Sequence, residues 1–165
     1  MAIDALYSDR ILALAANMPR AGRLAAPDAS AERVAKLCGS RITADVAMDG
    51  DRVADFAQDV KACALGQASA AILGQHVIGA SVAELQLARD ALSAMLKSDG
   101  PPPVGRFADL AVLEPVKDYP ARHASTLLAF EAVLAAAREA STRTITAGAH
   151  SGGVVAGPPP GVRAN

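Results

Sequence analysis

The stretch Cys38–Phe56, "CGSRITADVAMDGDRVADF", decides the fold. Its apolar positions Ile42, Ala44, Val46 and Met48 alternate with Arg41, Thr43, Asp45 and Ala47. A period of two is that of a strand with one buried face. The sequence Met48–Asp51, "MDGD", follows at once. Asp-Gly tolerates the positive φ of a tight hairpin turn, so a second strand is predicted over Arg52–Lys61. A third strand is predicted before Cys38, in "ERVAKL". Both cysteines of the chain therefore flank the sheet, Cys38 just before a strand and Cys63 just after one.

Outward from the sheet the pattern turns helical. Residues 4–17 carry Leu6, Ile11, Leu12, Leu14 and Ala15 at helical spacing, and an Ala-, Pro- and Asp-rich loop is expected through Ser30. After Cys63 a run of small residues, "ALGQASAAILG", reads as a helix. Ser81 and Glu84 form a capping-box pair that opens another, which stops at Gly100 before three prolines. A short segment lies around Phe107–Leu113. Pro120 then starts a final long helix, with proline in the tolerated first turn. From Ser141 onward periodicity fades into Gly, Pro, Ser and Thr. The sequence thus predicts one α+β domain over residues 1–140, a small three-stranded antiparallel sheet packed against several helices in two layers, with a disordered tail over 141–165.

Composition narrows the function. The chain has 165 residues, is 52% apolar and 20% charged, and carries a net charge of −1. A length and composition of that kind support one globular domain with a real core. No basic stripe interleaved with aromatics is present, which argues against nucleic acid as a partner. No apolar run approaches the roughly 20 residues of a membrane helix. The N-terminus carries acids early and lacks a basic region, so no signal peptide is expected. Two cysteines are too few for a disulfide scaffold and fit a reducing cytoplasm with free or metal-bound thiols. Neither "GPPPVGRF" nor "GAHSGGVVAG" ends as a phosphate-binding loop does.

The cysteines are the candidate chemistry. Gly39 leaves room beside Cys38, and Cys63 sits where a helix begins, next to Lys61. The unpaired N–H groups of a helix N-terminus favour thiolate, the form that binds metal or accepts sulfur. Against this, cysteine often only fills space in a core, and both readings stand on the residues alone. Of the three histidines, His76 and His123 fall in helices and His150 in the tail. A helical-surface role is the ordinary one for each of the first two. Asp45, Asp49, Asp51, Asp55 and Asp59 read as solvated strand and turn residues.

Four stretches in order resemble the NifU/IscU-type iron–sulfur cluster assembly scaffolds, and their SufU-like branch most closely. They are "LYSDRILALAANMPRAGRL", "LCGSRITADVAMDGDRVADF", "KACALGQASAA" and "YPARHASTLLAF", spanning about Leu6 to Ala140. The resemblance implies three cysteines and an aspartate gathered at one end of the domain. These hold zinc or a nascent [2Fe–2S] cluster and receive sulfur from a cysteine desulfurase. Cys38 matches the first cysteine and Cys63 the second, while Ser40 stands where the aspartate is expected. The third cysteine position falls on Ser125, or, shifted by one, on Ala124 with His123 as the preceding histidine. Neither alignment supplies a cysteine. The implied metal ligands are Cys38, Cys63 and His123, with Ser40 and Ser125 lining the site where ligands are lost.

The resemblance implies a binding protein rather than an enzyme. Three roles follow from it: a divergent scaffold for iron, zinc or a labile [2Fe–2S] cluster, a metal-free adaptor of the assembly machinery, and a sulfur acceptor. A cysteine desulfurase and apo iron–sulfur proteins are the implied partners. Asp59 is a further candidate for the missing acidic ligand.

Overall fold

The computed structural model describes residues 7–151. Three antiparallel strands form the sheet in the order β1-β2-β3: β1 (Ala29–Ala35), β2 (Ser40–Asp49) and β3 (Arg52–Lys61). Helix α1 (Asp9–Ala16) precedes them, and α2 (Ala64–His76) and α3 (Val82–Lys97) follow. A 3-10 stretch over Gly105–Asp118 and a 3-10 turn at Pro120–Arg122 lead into the last helix, α4 (His123–Ser151). This is the expected two-layer α+β architecture. The hairpin is where the Asp-Gly signal placed it, with β3 over the expected residues.

Three boundaries differ from expectation. The first strand begins at Ala29, inside the stretch expected as loop, because it pairs along β2 from Ala29–Val46 to Ala35–Ser40. The segment around Phe107 is longer than expected and held as 3-10 helix. Helix α4 also continues past Ser141 to Ser151. No proline interrupts the chain there before Pro158, so fading periodicity does not end the helix. The expected disorder of residues 152–165 lies outside the described residues.

All the helices that build the core pack on one face of the sheet. Ile42, Ala44 and Val46 of β2 and Val53 and Phe56 of β3 are buried there, under α4 and α2. Helix α2 is enclosed on most sides: Leu65, Gly66 and Ala68 through Gly74 are all buried. Its small residues are what allow this. A β-carbon at Gly74 would lie 2.8 Å from the Pro19 ring and 3.0 Å from the Pro19 carbonyl oxygen. The close approach expected at this run is therefore made by the chain's own backbone. Helix α3 is opened by the predicted capping box, with Ser81 Oγ accepting from Glu84 N at 3.0 Å and Glu84 Oε1 accepting from Ser81 N at 3.1 Å. Among the described residues, no helix is long and apolar enough to cross a membrane.

Asp45 corrects the reading of the acidic residues as solvated. Asp49, Asp51, Asp55 and Asp59 are exposed, but the Asp45 side chain is fully buried on the outer face of β2. Arg23 grips it with Nε at 2.7 Å and Nη2 at 3.0 Å, and the Leu24 N–H donates to it at 2.9 Å. The Ser30 hydroxyl on β1 adds a further bond. Burial alone would push this carboxyl up. The donors from Arg23, Ser30 and Leu24 outweigh it and hold the carboxyl below its ordinary value. The segment after α1 is thus tied across a face that would otherwise be bare. The same segment runs beside β3, where Gly22 N donates to Gln58 O and Gln58 N to Arg20 O.

Replacing Asp45 by Asn keeps the shape and removes the charge. Urea unfolding at pH 7 is expected to show a loss of about 1–3 kcal/mol. A carboxyl lowered on folding stabilises above its unfolded value of about 3.9 and ceases to as pH falls through its folded value. The gap between wild type and Asp45→Asn therefore narrows below about pH 4, and a gap that widens there would contradict this anchor.

Candidate metal and thiol site

The site is built where three elements end. The turn between β1 and β2 closes with Gly39 N donating to Ala35 O at 2.9 Å, and Gly39 takes a φ of +75° that suits glycine. This turn carries Cys38 outward, exposed to solvent. Ser40 opens β2 with its side chain turned inward, and its Oγ lies 3.0 Å from Cys38 Sγ. At the other end of the hairpin, Cys63 caps α2 by position only, since its side chain makes no capping bond. Its sulfur lies instead 3.5 Å from Ser125 Oγ, in the first turn of α4.

Ser125 is the hub. Its hydroxyl reaches Cys63, is within bonding reach of the Cys38 thiolate, and also donates to Arg122 O at 3.2 Å. One hydroxyl proton serves only one of these partners at a time. Loss of the proton from either thiol favours turning that donor from the carbonyl to sulfur. Gly66 fixes the placement. A β-carbon there would lie 3.0 Å from the Ser125 carbonyl oxygen and 2.8 Å from Ala62 Cβ. Any larger residue would force α2 away from the start of α4.

The surroundings favour thiolate at Cys38. The Ser40 hydroxyl contributes most, partial burial opposes it, and the Ser40 N–H, the Ser125 hydroxyl and the Cys38 N–H add to it. Together they hold this thiol below its ordinary value.

The structure therefore brings together Cys38, Ser40, Cys63 and Ser125. It does not bring in His123. That ring is buried, and its Nε2 lies 3.0 Å from Val116 O and 3.2 Å from Lys117 O. Two carbonyl acceptors make Nε2 the protonated nitrogen, a donor rather than a metal ligand. His123 and Ser125 are also about 200° apart around the helix axis, so one faces away when the other faces the sulfurs. The expectation of His123 as a ligand is corrected on this ground. The alternative alignment with Ala124 in the third position fails with it, since it is the Ser125 side chain that meets the sulfurs.

His76 closes the far end of α2, 3.0 Å from Asp109 Oδ2. The His150 side chain lies outside the described residues. Asp59 is exposed on β3 opposite Thr43. Among the described residues, no three His, Cys, Asp or Glu side chains gather as a metal site. The strong donors at this rim are two thiols, backed by two hydroxyls.

Sequence reasoning missed two features of the rim. Leu37, beside Cys38, is 77% exposed and Val34 is 49% exposed. Arg41 stands directly opposite Lys61 at the end of the sheet. Leu37 was visible as an apolar residue in a turn with no core to fill, and the charge pair only after the register was known.

The family model for the NifU-like N-terminal domain matches residues 6–126. The chain belongs to this family. Among solved structures, the NifU-like protein (N-terminal) from Brucella abortus is 53% identical, covering 87% of this chain and 99% of that one, with a TM-score of 0.85. A putative iron–sulfur cluster assembly scaffold protein for the SUF system from Fervidobacterium islandicum AW-1 is 22% identical and shares the fold, with a TM-score of 0.74 over 81% of this chain and 98% of that one. No curated protein matches the sequence. NifU-like scaffold domains are non-enzymatic, which agrees with the reading of this chain as a binding protein.

In this NifU-like domain the two thiols differ in access and surroundings. Timed alkylation with iodoacetamide at pH 7, followed by peptide mass analysis, is expected to label Cys38 at least about threefold faster than Cys63. Ser40→Ala is expected to slow Cys38 and leave Cys63 unchanged. Equal rates at both thiols, or no effect of Ser40→Ala, would contradict the assigned role of the Ser40 hydroxyl.

Proposed function

We propose that this chain is a divergent iron–sulfur cluster assembly scaffold. In this reading Cys38 and Cys63 hold iron, zinc or a labile [2Fe–2S] cluster as cargo. The observation that carries the reading is the shared serine: thiols from distant parts of the chain both reach the Ser125 hydroxyl at an accessible rim. Two thiolates bind soft or borderline metal readily. Ser40 and Ser125 are neutral alcohols and contribute polarity rather than strong coordination. A domain that offers half the usual donor set holds its cargo weakly, which suits transfer onward. A cysteine desulfurase would supply the sulfur, apo iron–sulfur proteins would take the product, and the reducing cytoplasm would keep both thiols available.

A second reading, as a sulfur acceptor, is favoured by the exposure of Cys38. Its thiolate would attack the outer sulfur of the desulfurase persulfide, forming a Cys38 persulfide and releasing the desulfurase thiolate. The metal-free adaptor reading is favoured by the two buried serines at ligand positions.

Anaerobic reconstitution with ferrous iron and sulfide separates these readings. The scaffold reading expects visible sulfur-to-iron charge-transfer absorption that is lost in Cys38→Ala and in Cys63→Ala. Absorption that is absent, or that persists when both thiols are removed, would overturn it and leave the adaptor or the acceptor.

A further inference from the structure

We infer that two copies of this chain meet at the Cys38–Cys63 rim and complete one four-thiolate site between them, each copy giving both of its sulfurs. The inference rests on the reading that these thiols hold metal, and it names the partner that completes the coordination.

Donor chemistry requires a partner. Tetrahedral zinc takes four strong ligands, and a [2Fe–2S] cluster takes four thiolates. The whole chain has only two cysteines. His123 is spent on the Val116 and Lys117 carbonyls, and no acidic side chain joins the sulfurs among the described residues. A second copy doubles the set to four thiolates without any new residue type. A twofold axis through the metal gives both copies the same contacts, as an isologous interface demands.

The surface at the rim permits such an approach. Lys36, Leu37, Cys38 and Gly39 are all exposed, so the turn stands out from the domain rather than lining a cleft. Exposed Leu37 and Val34 flank the thiol and provide apolar surface that a twin copy would cover. Charge explains why the pairing needs metal. Arg41 faces Lys61 across the β2–β3 pair, a like-charge juxtaposition at the end of the sheet that carries the cysteines. Metal-free copies bring these cations together and repel. Four thiols that each release a proton to one divalent ion leave a centre of net charge −2, which offsets the cations of both copies.

The test uses the full chain with Zn²⁺ as the probe, reading mass by sedimentation velocity and metal content by elemental analysis. In chelator the chain is expected to sediment as a monomer. Zinc is expected to double the mass at one ion per two chains, reversibly with chelator. Cys38→Ser and Cys63→Ser are each expected to abolish the doubling. Leu37→Glu, which keeps both thiols, is expected to weaken dimerisation at least tenfold with unchanged circular dichroism. One zinc per monomeric chain, bound through the thiols, would overturn the inference and leave the scaffold reading intact, with water or a different partner as the remaining ligand. A dimer that forms in chelator, or that survives loss of the cysteines, would also overturn it. Zinc binding indifferent to both thiols would overturn the inference and the thiol-based reading together.

Discussion

The close contact between Gly66 of α2 and the Ser125 carbonyl of α4 governs the site. The two helices meet there with no side chain between their backbones. That contact sets how far Cys63, at the head of α2, lies from the first turn of α4. It also holds the Ser125 hydroxyl where sulfurs from both ends of the hairpin reach it. Native interiors pack to crystal-like density, so an extra methyl group here displaces a helix rather than filling a void. The alanine and glycine content of α2 is therefore a condition for the site, although none of those residues has any chemistry of its own.

The sheet supplies the other half of the geometry. Antiparallel pairing places the start of β2 beside the end of β3, with Arg41 opposite Lys61. The residues just outside that pair, Cys38 on one side and Cys63 on the other, emerge at the same edge. Asp45 and Arg23 act at a distance from this edge, fastening the segment after α1 over the outer face. Rigid elements thus carry the thiols, while Cys38 itself rides on an exposed turn. One sulfur is held by packing and the other is free to reach outward, an asymmetry suited to capturing a species and then releasing it.

Much of this was legible in the sequence because it rests on local rules. The alternation from Ile42 to Met48, the Asp-Gly turn and the Ser81–Glu84 cap each act over a few residues, and each formed as read. The strand at Ala29–Ala35 was less legible, since its small and charged residues become a strand only by pairing with β2. Ser125 against His123 shows the same limit. Adjacent positions on a helix point to different faces, and only the packing of α4 decides which face meets the sulfurs. Asp45 was misread because burial of a carboxylate depends on Arg23 and Leu24, far away along the chain. The cysteine pair was legible as residues and spacing, but its shared hydroxyl was not.

The central claim is that position 125 points at both sulfurs and position 124 does not. Zinc affinity measured by competition with a chromophoric chelator tests it in Ser125→Cys and, as the control, Ala124→Cys. A third thiolate delivered to the same point is expected to raise affinity at least about tenfold, with one ion per chain, in Ser125→Cys alone. No gain at 125, or an equal gain at 124, would contradict the convergence on which the site depends.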